Sequence, residues 1–239
     1  MAPMTMTHPG LRMIGCGLAA AALAAGCTAT SSKDLRTGQI SAGIRVTATS
    51  ASAATVHVAM SPGNGVDPLN PVKLEGGDAL YAEASGLRWK LGAVGSDYEA
   101  SLPTGAAETQ VQVILDRPNP NEADAPDSIG ALPPPFELSP LSIVDMPRSQ
   151  PESVSWSPSG TADRMLLAFQ GSCVEDVSFA IDGDPGTYGF ALEGEFSPSS
   201  CTVTMTLTRS RAGVVDPNLN PGSSFVLEQV RTAAFHSSP

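Results

Sequence analysis

The stretch from Cys201 to Thr208, CTVTMTLT, decides the class of fold, because its residues alternate strictly between two chemical kinds. The face that this alternation predicts to be buried consists of Cys201, Val203, Met205 and Leu207. Four threonines make up the opposite face. A period of two residues is typical of a β-strand with one face in an apolar core and the other in solvent. The stretch therefore predicts a half-buried strand.

The same alternation recurs along the chain, so the whole sequence predicts an all-β protein. Apolar residues alternate with polar ones at 44–46, 56–60, 87–91, 111–115 and 165–173. Clusters of Gly, Pro and Asn separate these runs and indicate turns. No stretch keeps a helical period, and 23 glycines with 21 prolines suit a loop-rich secreted β protein.

A change of composition divides the chain. Residues 118–134 are rich in proline, asparagine and acid, which predicts a stiff, extended linker between two domains. We therefore predict an N-terminal β-sandwich over 38–117 and a C-terminal one over 135–239, the second having the size of an immunoglobulin-like sandwich. A single merged sandwich is the alternative.

Residues 1–26 have the organisation of a secretory signal peptide, with a polar start that carries Arg12 and an apolar run over 13–26. The 14 residues of this run would span about 21 Å as a helix, which is short of a hydrocarbon core of about 30 Å. The sequence Leu23-Ala24-Ala25-Gly26-Cys27 resembles the lipobox of bacterial lipoproteins. An ordinary secretory signal cut near Ala22-Leu23-Ala24 is the alternative.

The lipobox resemblance implies cleavage before Cys27 and acylation of its thiol and its new amine. Two or three acyl chains anchor a protein stably, whereas one binds marginally. Residues 27–37 would then form a flexible tether, since they are small and polar. Thr28 stands where some bacterial lipoproteins carry the aspartate that retains them at the inner membrane, which favours the outer membrane. The predicted partner is therefore the membrane of the cell envelope.

The remaining cysteines predict a disulfide. Cys16 leaves with the signal and Cys27 is the anchor, so Cys173 and Cys201 remain in an oxidising compartment. Both fall on the apolar faces of predicted strands. Strands on facing sheets would present them to each other across the core, and the bond would close a loop of about 29 residues.

Asp184-Pro185-Gly186-Thr187-Tyr188 resembles the D-x-G-x-Y of immunoglobulin domains, where the tyrosine hydroxyl ties a corner to the backbone. The resemblance implies a structural corner at Asp184 and Tyr188. The family has its second cysteine two residues after the tyrosine, where this chain has Phe190, so the likeness is to an Ig-like sandwich and not to an antibody-type domain. Gly95-Ser96-Asp97-Tyr98 is a weaker match to the same motif in the first unit. Together the parts resemble two-domain, Ig-like lipoproteins of unknown function from Gram-negative bacteria.

Charge and motif content argue against several kinds of chemistry. The net charge of −11 repels phosphate backbones, so nucleic acid is not an expected partner. His57 is expected to face solvent and His236 lies near the C-terminus, and neither has the spacing of a metal site or a catalytic triad. We predict no catalytic residue and no cofactor. Asp182 and Asp184 are a weak Ca²⁺ candidate, although the twelve-residue calcium-loop pattern is missing.

The predicted function is that of an envelope lipoprotein with a non-catalytic role, which either binds a protein or a glycan or is structural. An enzyme that uses two carboxylates is one alternative, and it requires two acids that converge in a concave site. A carbohydrate-binding module is the other, and it requires exposed aromatic side chains, for which the chain offers three tyrosines.

Overall fold

The structure is a computed structural model that describes residues 29–140, 145–148, 150–192 and 199–239. The predicted signal peptide and Cys27 lie outside the described residues. Two short 3₁₀ helices, Ser32–Asp34 and Thr37–Gln39, lie near the start, and the rest of the regular structure is strand. The strands are β1 (Thr30–Ser31), β2 (Ile40–Ser50), β3 (Ala53–Pro62), β4 (Val72–Lys73), β5 (Ala79–Ala84), β6 (Leu87–Lys90), β7 (Gly92–Val94), β8 (Asp97–Leu102), β9 (Gln110–Asp116), β10 (Ala125–Ala131), β11 (Glu137–Leu138), β12 (Asp145–Pro147), β13 (Glu152–Ser157), β14 (Arg164–Gly171), β15 (Val174–Ile181), β16 (Thr187–Phe190), β17 (Cys201–Ala212) and β18 (Ser224–Ser238).

One nine-stranded sheet runs through the described structure. Its order is β15-β14-β17-β18-β2-β3-β8-β7, and β12 pairs with the far end of β18. β18 has 15 residues and lies near the middle of this sheet. β18 is antiparallel to β17 along almost its whole length, and its first part, from Ser224 to Gln229, is parallel to β2. At about 3.3 Å per residue, β18 is about 45 Å long.

Two smaller sheets cover the two halves of the long sheet and create two sandwiches. The sheet β10-β9-β5-β6 packs on the half that contains β2 and β3, and the sheet β11-β13-β16 packs on the half that contains β14 and β17. Each half has its own apolar core. The predicted all-β fold with two Ig-like sandwiches is therefore confirmed, and the open question of a merged sandwich has a specific answer: there are two cores and one shared sheet.

The inward side chains of β18 show how one strand serves both cores. Phe225 and Leu227 belong to the first core, and Phe235 belongs to the second. Between them the inward positions are Gln229, which is fully buried, and Arg231. Because a long polar side chain interrupts the apolar row, the two cores do not merge along the strand.

The interpretation of 118–134 as an interdomain linker is wrong for its second half. Residues Ala125–Ala131 form β10, which pairs with β9 in the first sandwich. The pairing register shifts between Ala125 and Ser128, and Ser128 is one of the buried residues of this strand. A bulge and a small polar residue on the buried face hide the period of two, so composition alone suggested a linker.

The interpretation of 27–37 as a flexible tether is also wrong for the residues that the structure describes. β1 pairs in parallel with β4, and Ser32 and Thr37 are buried. Hydrogen bonds hold these residues, together with the packing of Leu35 on the first core. With one apolar contact, the segment has no apolar period that would predict its order. Among the described residues, no helix has the length and apolarity that crossing a bilayer requires.

Candidate functional site

The disulfide between Cys173 and Cys201 is present. The two Cα atoms lie 5.7 Å apart, within the range of about 4.4–6.8 Å that a disulfide requires. Cys173 is buried in the turn between β14 and β15, and Cys201 begins β17. The bond therefore ties the end of β14 to the start of β17.

The expectation that this disulfide crosses the core between facing sheets is wrong. β14 and β17 are antiparallel neighbours in one sheet, with Gln170 opposite Thr204. Cys173 is three residues after the first and Cys201 three residues before the second, so the cysteines continue the same register. Two cysteines on apolar faces can meet across a core or side by side, and only the strand order distinguishes the two.

Asp184 occupies the predicted corner and forms a buried ion pair. Its side chain and that of Arg209 are both 0% exposed, and Arg209 Nη2 donates to Asp184 Oδ2 over 2.8 Å. Trp156 Nε1 donates to Oδ1 over 2.6 Å, and the backbone N–H and hydroxyl of Thr161 both donate to Oδ2. The carboxylate thereby joins three segments of the second sandwich.

These contacts change the pKa values of both Asp184 and Arg209. Burial by itself raises the pKa of Asp184, but the hydrogen bonds from Trp156 and Thr161 and the positive charge of Arg209 outweigh it and hold the pKa below its ordinary value. Burial lowers the pKa of Arg209, and the Asp184 charge opposes that change. The depressed pKa of Asp184 keeps this carboxyl ionised at neutral pH.

Tyr188 does not form the tyrosine corner that the resemblance implied. Its ring packs against Phe179 with centroids 6.1 Å apart, and its hydroxyl makes no hydrogen bond to a described residue. Tyr98, in the weaker match to the motif, does bond to the backbone: its hydroxyl accepts the N–H of Leu74, 24 residues earlier in the chain, over 2.8 Å. Tyr98 thus joins two segments of the first sandwich, and Asp184 joins segments of the second.

The weak Ca²⁺ candidate does not fit this geometry. Asp182 is exposed, whereas the oxygens of Asp184 point inward and are already engaged by Trp156, Thr161 and Arg209. A calcium ion needs six to eight oxygen ligands, and an arginine beside the carboxylate repels a cation. The described residues also contain no group of three or more metal-ligating side chains.

Both histidines of the described chain pair with aspartates. His57 Nε2 lies 2.9 Å from Asp97 Oδ2, and His236 Nδ1 lies 3.1 Å from Asp145 Oδ1. The hydroxyl of Ser96 donates to the other oxygen of Asp97 over 3.0 Å, so the aspartate lies between the serine and His57. Nucleophilic catalysis needs the histidine between the other two, because the base must contact the hydroxyl it activates.

Three open clefts are lined by described residues, with volumes of about 350, 430 and 290 Å³. The carboxylates that line them are Glu83, Asp78 and Asp163, one in each cleft. Each has an arginine partner within 3.5 Å. A carboxylate-based hydrolase needs two acids on either side of one bond, and these clefts do not bring two together.

A polar junction joins the two sandwiches, and sequence reasoning missed it. Arg211 binds Asp163 of the second sandwich through Nε (2.7 Å) and Glu108 of the first through Nη1 (3.0 Å). Gln229 Nε2 donates to the carbonyl of Gly105 over 2.7 Å. The sequence did contain a sign of this junction, because Arg211 in β17 and Gln229 in β18 occupy inward positions where the alternation predicts apolar residues.

A second buried arginine clamps the N-terminal segment, and sequence reasoning missed it too. Arg117 is 1% exposed in its side chain and pairs with Asp78 over 3.1 Å. Its Nη2 donates to the carbonyl of Ser32 over 2.7 Å, and its Nη1 donates to that of Leu35 over 3.0 Å. The side chain of Thr37 also accepts from it. The segment just after the predicted anchor is therefore part of the folded body.

No protein-family model and no curated protein matches this chain. Among solved structures it is similar to the FN1–FN3 domains of chicken CNTN1, at 14% identity over 82% of this chain and 64% of that one, with a TM-score of 0.24. It is also similar to Salmonella alpha-2-macroglobulin reacted with methylamine, at 10% identity over 85% of this chain and 15% of that one, with a TM-score of 0.26. The chain thus spans less than two thirds of either structure. Likeness at these identities concerns the all-β fold alone.

Proposed function

We propose that this protein is a lipid-anchored component of the bacterial cell envelope, placed at the outer membrane, with a non-catalytic binding or structural role. The position of Cys27 carries the proposal. This cysteine ends the lipobox-like sequence after the apolar run, and it precedes the first residue of β1, Thr30, by three residues. An acylated Cys27 would join a membrane anchor to a folded body with almost no spacer.

The architecture of the two sandwiches supports a structural or binding role. One sheet passes through both sandwiches, and the junction between them is held by the bonds of Arg211 and Gln229. Gln229 is fully buried, so breaking its bond to the carbonyl of Gly105 would leave a buried polar group without a partner, and such a junction favours a rigid body over two independently moving domains. A rigid body on a short anchor suits a protein that holds a binding surface at a set distance from the membrane.

The sheet edge formed by β15 is the surface that we propose for a protein partner. Along the described part of the long sheet, β15 has β14 on one side and is the last strand on the other. It has eight residues, whereas β7 at the opposite edge has three. An extended peptide can add a strand to an edge of that length through main-chain hydrogen bonds.

Serine variants of two cysteines test the anchor. Cys27→Ser should move the protein from the membrane fraction to the soluble fraction, since the variant has no thiol to acylate. Cys16→Ser is the matched control, because this cysteine lies in the predicted signal and should leave fractionation unchanged. Mass spectrometry of the membrane-bound protein should find an acylated N-terminal peptide that begins at Cys27. An unmodified N-terminus, or membrane retention of Cys27→Ser, would refute the proposal.

A further inference from the structure

One end of the first sandwich exposes apolar side chains beside the start of β1. Leu69 is 71% exposed and Val66 is 39% exposed, and Pro68 between them is exposed as well. Lys33 and Lys73 lie at the same end and both approach Glu75, at 3.4 and 3.3 Å. We call Val66, Pro68, Leu69, Lys33 and Lys73 the anchor-end surface. Glu75 thus pairs with both lysines, and the exposed carboxylates of Asp34 and Asp67 lie in the same two segments.

Direct hydrogen bonds place this surface next to Thr30, the first residue of β1. The backbone N–H of Thr30 donates to the carbonyl of Pro71 over 2.9 Å, and its hydroxyl donates to Asn70 Oδ1 over 3.0 Å. Asn70 directly follows Leu69. Cys27 precedes Thr30 by three positions, so the two Cα atoms can be at most about 11 Å apart. A lipid on Cys27 cannot be far from Leu69.

The turn itself does not require a leucine at position 69. A second turn in the chain has the same construction: Asp67 Oδ1 accepts the N–H of Leu69 over 2.9 Å, and Asp216 Oδ1 accepts that of Asn218 over 2.7 Å. The equivalent corner there is asparagine, and the leucine of that turn, Leu219, is buried in the core. The leucine at position 69 is therefore not fixed by the construction of the turn.

We propose that the anchor-end surface lies against the bilayer interface, a proposal that rests on the lipid anchor at Cys27. Leu69, Val66 and Pro68 contact the boundary between headgroups and acyl chains. The occupant is a membrane because an acylated Cys27 is only three positions before Thr30, which bonds directly to the segment that carries Leu69. β18 begins at this end, where Ser223 bonds to the N–H of Ala42, and it carries the disulfide end of the body away from the bilayer.

A fluorophore at position 69 tests the orientation. In the mature lipoprotein an introduced cysteine is the one free thiol, because Cys27 is acylated and Cys173 is bonded to Cys201. Leu69→Cys is compared with Leu166→Cys, an exposed leucine of the second sandwich. Each acylated protein is labelled with a polarity-sensitive dye and reconstituted in vesicles of phosphatidylethanolamine and phosphatidylglycerol. Spin-labelled lipids then quench whichever dye lies at the membrane.

The expected result is a blue shift and several-fold stronger quenching for the dye at 69 than for the dye at 166. Equal quenching at both positions, with Cys27 shown by mass spectrometry to be acylated, would overturn the proposed orientation and leave the lipid anchor standing. A protein without acyl chains that washes off the vesicles would overturn both. Leu69→Asn copies the second turn and should keep the thermal stability of the parent, which confirms that position 69 can be changed without unfolding the protein.

Discussion

Replacing Arg117 by methionine tests whether the segment after the anchor is held by charge. Methionine keeps the length and apolar stem of the side chain but removes its donors. The change leaves Asp78 buried without its cation, and it leaves the carbonyls of Ser32 and Leu35 without the donors that they have now. Removing one partner of a buried pair costs about 3–5 kcal/mol. For a chain of this size, the melting temperature should fall by about 6–20 °C.

Local release of the segment should also be visible by proteolysis. Lys33 and Arg36 are exposed trypsin sites within the segment that Arg117 clamps. In the parent protein both should resist trypsin, because the protease needs an extended, unpaired backbone. In Arg117→Met they should be cut early, before the rest of the body, and the product should be identified by its mass.

Arg88→Met provides the matched control. Arg88 is half-exposed and pairs with Glu83 over 3.5 Å, so its loss should change the free energy of unfolding by no more than about 0.5 kcal/mol. Equal melting temperatures and equal trypsin patterns for the two variants would refute the reasoning. They would mean that the buried Arg117 stabilises the protein no more than the exposed Arg88 does.

Two further variants test the second sandwich. Replacing Cys173 and Cys201 by serine should lower the free energy of unfolding by about 3.6 kcal/mol in the chain-entropy model, and denaturant unfolding of the variant should no longer respond to reductant. Asp184→Asn should cost about 3–5 kcal/mol at neutral pH, since its buried guanidinium partner loses the charge that compensates it. The folded pKa of Asp184 is depressed, so its ionised form contributes stability that is lost as the pH falls through that pKa. The stability difference between parent and variant should therefore shrink below the ordinary value of 3.8, and a difference independent of pH would contradict the assignment.

The alternation of apolar residues was sufficient for the fold class because it reports directly which face of a strand leaves water. It located β17 around Cys201–Thr208 and placed both cysteines on buried faces, and the disulfide followed from their chemistry. The same reasoning failed for residues 118–134. There a bulge breaks the period, and the buried Ser128 replaces an apolar residue, so nothing in the local pattern distinguishes β10 from a linker.

The candidate site was predictable only in part. Asp184 was found through a motif, but its partner Arg209 lies 25 residues away and was not paired with it. Arg117 meets the carbonyl of Ser32 across 85 residues, and no local pattern announces such a contact. Contacts of this kind arise when distant strands are brought together, and their partners are backbone atoms that every residue possesses.

By itself the sequence determined the all-β class, the two sandwiches and the cysteine pair, because each depends on a short-range pattern of side-chain polarity or on residue chemistry. Tertiary structure alone decided that one sheet serves both sandwiches, that the disulfide joins neighbours within that sheet, and that the predicted tether belongs to the body. Those features depend on strand order and on buried polar contacts between residues far apart in the chain. The alternation of apolar residues states which face of a strand is buried, but not which strand lies beside it.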